Sequence, residues 1–375
     1  MRKRFDRTDG TDSTFRTNDG SNSPHADVSN VDARRLAYGM LLNKGLIRIG
    51  LPIPAMAEFT LTEADDPYGF VSKDTANPEL SLFRRPLPTV NLKFTSSVMW
   101  DGRESPVTLS IREGLSNQTN SANTQHAQGA ELTAAQRQGI VDFELSLFAS
   151  QINVRDSVTS ISLGKAASPK TLAEQRFSLG INPPYLAGRS NPAFDNHVFK
   201  LFDRWGGRPD RSGSDRRAAI SRGQQIFNTR TFVIKGVAGL NDSALFGKPE
   251  QLTATCGTCH NTPNVGNSSL PLFMNTGVSD VDRRTGDLPL YTLTSKATGE
   301  SVQTTDPGRA LVTGRWEDIG CFKVPALRGL AARPPYFHNG SRSDIPDVVD
   351  FYESRFGLGL NNRERLDLIS FLRAL

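Results

Sequence analysis

Residues 255–266 read TCGTCHNTPNVG, with Cys256 and Cys259 three positions apart and His260 directly after. The 375-residue chain has only 3 Cys and 5 His, so composition alone does not put two of those cysteines beside a histidine. C-x-x-C-H is the attachment signal for c-type haem. Two thiols one helical turn apart can each add to a vinyl group of one macrocycle. The next residue, a histidine, is then placed as an axial ligand of the iron. A structural zinc site would need further paired ligands, and the remaining cysteine and scattered histidines offer no second pair. A thioredoxin-like pair should open a helix directly after a strand, a pattern that QLTATCGTCHNTP does not clearly show.

The flanking segments fit a haem loop. SDRRAAISRGQQIFN reads as a helix capped by Ser214, and NNRERLDLISFLRAL closes the chain as an amphipathic helix. In cytochromes c such first and last helices cross and hold the haem loop, so residues 211–375 are expected to form one haem-c domain. Upstream, SNVDARRLAYGMLLNKGL is expected as a helix capped by Ser29 or Asn30. TAAQRQGIVDFELSLFAS is expected as a helix opened by a Thr133/Gln136 capping box. IPDVVDFYESRFG is a further helix, with Pro346 near its start and Gly357 after its end. LPIPAMAEFTLTEADDPYGF reads as extended chain with turns, and the prolines of LSLFRRPLPTVNLKF forbid a long helix. The fold is expected to be all-α. Two cytochrome-c-like domains, residues 1–165 and 211–375, are joined by a linker at 166–210.

The net charge of +5 is modest and its basic residues are scattered, which does not suggest nucleic-acid binding. A basic rim suits steering of a small acidic protein partner. No apolar run reaches the length of a membrane span.

For the opposite face of the iron the residues leave three candidates. Met274 lies 14 residues after His260, which makes it hard to route to that face, and its neighbours Leu272 and Phe273 point to core. His338 in PPYFHNG and Tyr352 in VVDFYESRF are the stronger ones, Tyr352 having Val348 and Val349 one turn back on its helix.

The stretches FKVPALRGLAARPPYFHNGSRSDIPDVVDFY and NLKFTSSVMWDGRES resemble the bacterial di-haem cytochrome c peroxidase and MauG family. The resemblance covers roughly residues 80–150 and 210–375. It implies two haem-c domains, a C-terminal haem that passes electrons and an N-terminal haem that meets hydrogen peroxide. It implies that Trp100, in WDGR, lies between them. It also implies an axial ligand 14 residues after the histidine of the YFH motif. From His338 that position is Tyr352, as in MauG-type enzymes, and a phenolate would favour Fe(III) and higher states. A calcium ion on backbone carbonyls near Arg333 and Pro335 is a further family feature. So are a periplasmic location, frequent homodimers, and a small cytochrome or cupredoxin donor or, as in MauG, a protein substrate.

The sequence departs from that pattern in its first half, where no C-x-x-C-H precedes Cys256 and no apolar leader follows Met1. A start upstream of residue 1 is therefore expected. The rival expectation is a mono-haem electron carrier without peroxidase activity. On the peroxide side, His126 in SANTQHAQG is the candidate acid/base group, with Gln118 and Glu113 as weaker ones. Cys321 reads as a small buried apolar residue, and His25 and His197 as surface residues.

Overall fold

The computed structural model describes residues 1–71, 77–105, 110–155, 160–184, 193–206 and 216–375. Its first part opens with helices α1 (Arg2–Thr8), α2 (Val31–Ala37) and α3 (Gly39–Lys44). The helix expected over residues 29–46 is thus broken at Tyr38. Its start is capped by Asn30, whose side chain accepts from the Ala33 N–H, and its end by Gly45 in the left-handed region. Strands β1 (Ile47–Pro52), β2 (Phe59–Asp65) and β3 (Glu79–Arg84) follow. Helices α4 (Ile111–Ser121) and α5 (Ala134–Ser146) pack as a pair, and α5 carries the Thr133/Gln136 capping box. The short strands β4 (Asn153–Arg155) and β5 (Ser160–Ser162) and the helix α6 (Pro169–Glu174) lead into the second half.

There α7 (Arg216–Thr229) precedes a hairpin of β6 (Phe232–Lys235) and β7 (Gln251–Ala254), which runs into the single helical turn α8 (Cys256–Cys259). Strands β8 (Phe273–Met274), β9 (Leu290–Ser295), β10 (Ser301–Thr304) and β11 (Phe322–Lys323) come next, with α9 (Ala310–Thr313) between the last two. The chain closes on α10 (Ile345–Phe356) and α11 (Asn362–Leu372), capped by Asp344 and Asn361. Ser214, the expected cap of α7, lies outside the described residues.

The expectation of an all-α fold fails. Among the described residues eleven strands form five small sheets, and 35% of those residues are helical against 15% strand. The largest sheet has the order β10-β9-β2, all antiparallel. The reason lies in sequences such as LYTLTS in β9, where intermediate and buried residues alternate along the strand, the period of a pleated surface with one face inward. Phe59, Leu61, Tyr291 and Leu293 on that face pack with Leu80 and Leu82 of β3 in a core of their own.

Around the haem motif the helices behave as expected. Helices α7 and α11 cross at Gly223, where a Cβ would come within 2.0 Å of the Asp367 carbonyl oxygen. Beside the crossing Arg222 makes a two-bond ion pair with Asp367, at 2.7 and 2.9 Å. Phe227 and Phe371 meet there, and both pack edge-on or tilted against Phe199 or each other. Phe199 and Phe202, from the stretch expected to be a linker, are fully buried in this core.

Candidate haem site

Strand β7 delivers the chain to Thr255, whose N–H donates to the Thr258 hydroxyl oxygen at 3.0 Å across the first turn of α8. The one turn of helix sets Cys256 and Cys259 on the same side, and His260 follows as its C-terminal residue, its N–H donating to the Cys256 carbonyl at 3.0 Å. The strand-to-helix context absent from the sequence reading is therefore present. Burial pushes both thiols up to about 12, the direction opposite to that of a reactive redox thiol. They are free cysteines facing an internal cavity.

The imidazole of His260 is fixed by the loop that follows. Nδ1 lies 2.5 Å from the Gly266 carbonyl oxygen. A carbonyl can only accept, so Nδ1 carries the proton and Nε2 keeps its lone pair. Burial lowers the ring to about 4, against the smaller opposing effect of the Gly266 bond, so it is neutral at ordinary pH. Gly266 holds that carbonyl in place with φ +75°, and a side chain there would meet Phe199 and Leu327 within about 3 Å.

Cys256, Cys259, His260 and Tyr352 line one cavity of about 230 Å³, otherwise walled mostly by apolar side chains including Phe227, Val348 and Leu368. Tyr352, on α10, is raised above its ordinary range by burial first and then by the two thiols. Its ring stacks parallel to Phe356 at 6.1 Å. Among the described residues its hydroxyl has no hydrogen-bond partner, and its partial exposure is to this cavity.

The other two candidates also touch the cavity. Met274 is 2% exposed and packs with Ile234 and Leu240. His338 is stacked flat on Phe322, ring centroids 4.0 Å apart, and neither ring nitrogen has a hydrogen bond. Its Nε2 stands 3.7 Å from an Asp306 oxygen, and burial lowers the ring to about 4.

Trp100 stands in a wall shared with a second cavity of about 270 Å³. Its indole N–H donates to the Arg85 carbonyl at 2.8 Å, and the ring meets His338 edge-on at 6.3 Å. Behind it Arg84 is fully buried between Asp101 and Asp306, at 2.5 and 2.7 Å, with Arg103 also on Asp101. Burial would raise Asp101, but Arg84 and Arg103 outweigh it and hold the carboxyl at about 2.

His126, Gln118 and Glu144 line the second cavity. His126 ends a π-helical turn, Ala122–His126, and its Nδ1 lies 2.8 Å from an Asp19 oxygen, though out of line for a hydrogen bond. Glu113 is taken up in the capping box of α4. Glu144, which the sequence reading passed over, is raised by burial and has one oxygen without a partner. No cysteine lines this cavity. His25 and His197 are exposed.

No family model matches the chain. A cytochrome-c peroxidase of Denitromonas iodatirespirans is 33% identical over 132 residues, 32% of this chain and 35% of that protein. Another, of Pseudomonas sp. (strain SCT), is 30% identical over 142 residues, 32% of this chain and 36% of that one. The methylamine utilization protein MauG of Paracoccus denitrificans is 28% identical over 122 residues, 32% and 30% of the two chains. The chain is similar to the di-haem cytochrome-c peroxidase and MauG family. The matches span about a third of the length of these curated relatives. Among solved structures, a MauG-like protein associated with microbial copper homeostasis aligns over 79% of this chain and 74% of its own, with 16% identity and a TM-score of 0.41.

Similarity to haem-c peroxidases implies haem c, and the residues present fit it: two free thiols at attachment spacing, a neutral imidazole with a free nitrogen, and an apolar cavity before them. They do not fit the calcium ion expected at Arg333 and Pro335. The Arg333 carbonyl accepts from Arg85 Nη1 at 2.9 Å, and a guanidinium and a divalent cation repel each other at one oxygen. Among the described residues no group of three or more His, Cys, Asp or Glu is placed to hold a metal ion. No helix there is long and apolar enough to cross a membrane.

Proposed function

We propose that this chain is a haem-c oxidoreductase of the peroxidase type, in which Cys256 and Cys259 would attach the haem and His260 and Tyr352 would hold its iron. The observation that carries the reading is the tie from His260 Nδ1 to the Gly266 carbonyl, which orients a neutral imidazole and reserves Nε2 for a metal. When bound, haem c supplies an iron that exchanges single electrons and favours Fe(III) with a phenolate ligand. Tyr352 must release its proton to act as that ligand, and the surrounding apolar wall excludes water that would compete for the site. Trp100, in the wall between the cavities, is the group through which an electron crosses from one to the other. Were a second haem seated in the second cavity to supply the electrons, His126 would be the group placed to give a proton to the oxygen that leaves hydrogen peroxide, with Gln118 and Glu144 as neighbouring hydrogen-bonding groups. The electron donor is a small cytochrome or cupredoxin, or a protein substrate is oxidised as in MauG. Haem c attachment would support a periplasmic location.

The test is the intact mass of protein matured in a host that attaches haem c, followed by peroxide-dependent oxidation of a reduced cytochrome. Covalent haem lost on changing Cys256 and Cys259 to Ala, with turnover that needs His126, supports the reading. A protein without added haem mass sinks it. The second reading is a mono-haem electron carrier without peroxidase activity. One haem that cycles reversibly and leaves peroxide unconsumed would decide for the carrier.

A further inference from the structure

The cavity in front of the thiols is apolar on every side but one. Its fixed charges are Arg85, Lys323 and Arg333, and among the described residues no Asp or Glu lines it. All three stand in the wall shared with the second cavity. None has a carboxylate partner there. Arg85 donates Nη1 to the Arg333 carbonyl and leaves a buried Nε–H unmatched. Arg333 donates to the carbonyls of Gly329, Ala326 and Arg328, and Lys323 donates only to the Ser97 carbonyl at 2.8 Å. Of the acids around them, Asp101 is already shared by Arg84 and Arg103, and Glu144, which lines the second cavity, makes no ion pair with any of the three and is shifted towards its neutral form by burial. Burial pulls Lys323 down to about 8, with Asp101 only partly offsetting it. Three cations gathered without counter-charge at one edge of an apolar cavity are costly unless an anion completes them.

We propose that Arg85, Lys323 and Arg333 form an anion seat that takes the two carboxylates of the macrocycle attached at Cys256 and Cys259. The inference rests on the haem reading above and fixes how the group sits: apolar edge towards α10 and α11, carboxylate edge towards Trp100 and the second cavity. The guanidinium of Arg85 supplies, as part of the chain, positive charge next to the carbonyl where calcium was expected. The seat also sets the iron's electron affinity. Cations that neutralise the carboxylates favour the added electron of Fe(II), so losing one lowers the reduction potential.

The experiment uses the holoprotein and starts from its mass, because haem attachment is measured independently of the seat. With haem attached, Lys323→Leu and Arg85→Leu are expected to shift the midpoint of the Fe(III)/Fe(II) couple to lower potential. Lys323→Arg is expected to restore it, and Lys296→Leu, at an exposed position, to leave it unmoved. Attached haem with an unchanged midpoint in both leucine variants would overturn the seat while leaving the haem reading standing. Absence of attached haem would overturn both. Should the leucine variants not accumulate, resonance Raman scattering of the unmodified holoprotein asks the same question. Carboxylate bending modes of hydrogen-bonded propionates support the seat. Modes of free propionates assign the cations to a small inorganic anion and overturn it.

Discussion

Replacing Gly223 by Ala tests whether the crossing of α7 and α11 is the clamp on the haem loop. The new Cβ would stand 2.0 Å from the Asp367 carbonyl oxygen, 2.6 Å from its carbon and 2.7 Å from Phe371 Cβ. The first two are backbone atoms of a helix, so no side chain can swing aside. The helices must part by about 1 Å or more, and a gap of that size forfeits a quarter to a half of each contact's dispersion energy along the seam. Overpacking of this kind costs about 1–3 kcal/mol and occasionally more, against a gain of up to about 1 kcal/mol in helix propensity. The net is a loss of up to roughly 2 kcal/mol, or a fall in Tm of up to about 3 °C for a chain of this length. Gly139, mid-helix in α5 with nothing within 4 Å of its Cβ position, is the matched control, and Gly139→Ala should raise Tm slightly. The assay is thermal unfolding followed by circular dichroism and by the haem band, at equal haem content. Equal melting temperatures for the two variants would refute the claim that the crossing has no room for a methyl group.

Tyr352→Phe should change the visible spectrum of the holoprotein and raise its reduction potential, and an unchanged spectrum would remove Tyr352 as a ligand. His126→Ala should lower peroxide kcat/KM by about 10²–10⁴ with haem content intact; unaltered turnover would return His126 to the role of a surface group paired with Asp19. Asp101 is ionised in the folded protein down to about pH 2, below its unfolded range, so its stabilisation is full above about pH 4 and disappears as the pH falls towards 2. Asp101→Asn should therefore be less stable at neutral pH, by about 2 kcal/mol or more, and should lose less on acidification. Denaturant midpoints at pH 7, 4 and 2.5 measure both, and parallel pH curves for the two proteins would count against the buried ion network.

What could be read in the sequence was local. The haem motif declares itself through three residues, α5 through its capping box, α10 through Pro346 and Gly357 at its ends, and α11 through its amphipathic pattern. The residues alone put Tyr352 level with His338, and only the resemblance ranked Tyr352 first, since nothing within its helix says that it faces a cavity. The sheets were missed because their pairings are remote: β2 finds its neighbour in β9, and β8 and β11 are two residues each. The alternation in LYTLTSKATGESVQT was a signal for the β9–β10 hairpin, masked by the expectation that a haem-c domain is helical. Lys323 and Arg85 carry no local mark at all. A cation beside a proline-rich turn looks like surface until the fold closes a wall around it, and Cys321, fully buried two residues before Lys323, drew the attention instead.

The pairing of β2 with β9 joins residues such as Thr62 and Thr292, 230 positions apart. At a synthesis rate of roughly 5–20 residues per second, β2 waits on the order of ten seconds or more for its partner to be made. Cutting the chain between its two halves would leave β9 as the bare margin of a two-stranded ribbon, with unpaired N–H and C=O groups open to other chains. A fragment holding only the C-terminal half would therefore tend to aggregate, and the haem loop is best studied with the N-terminal strands still attached.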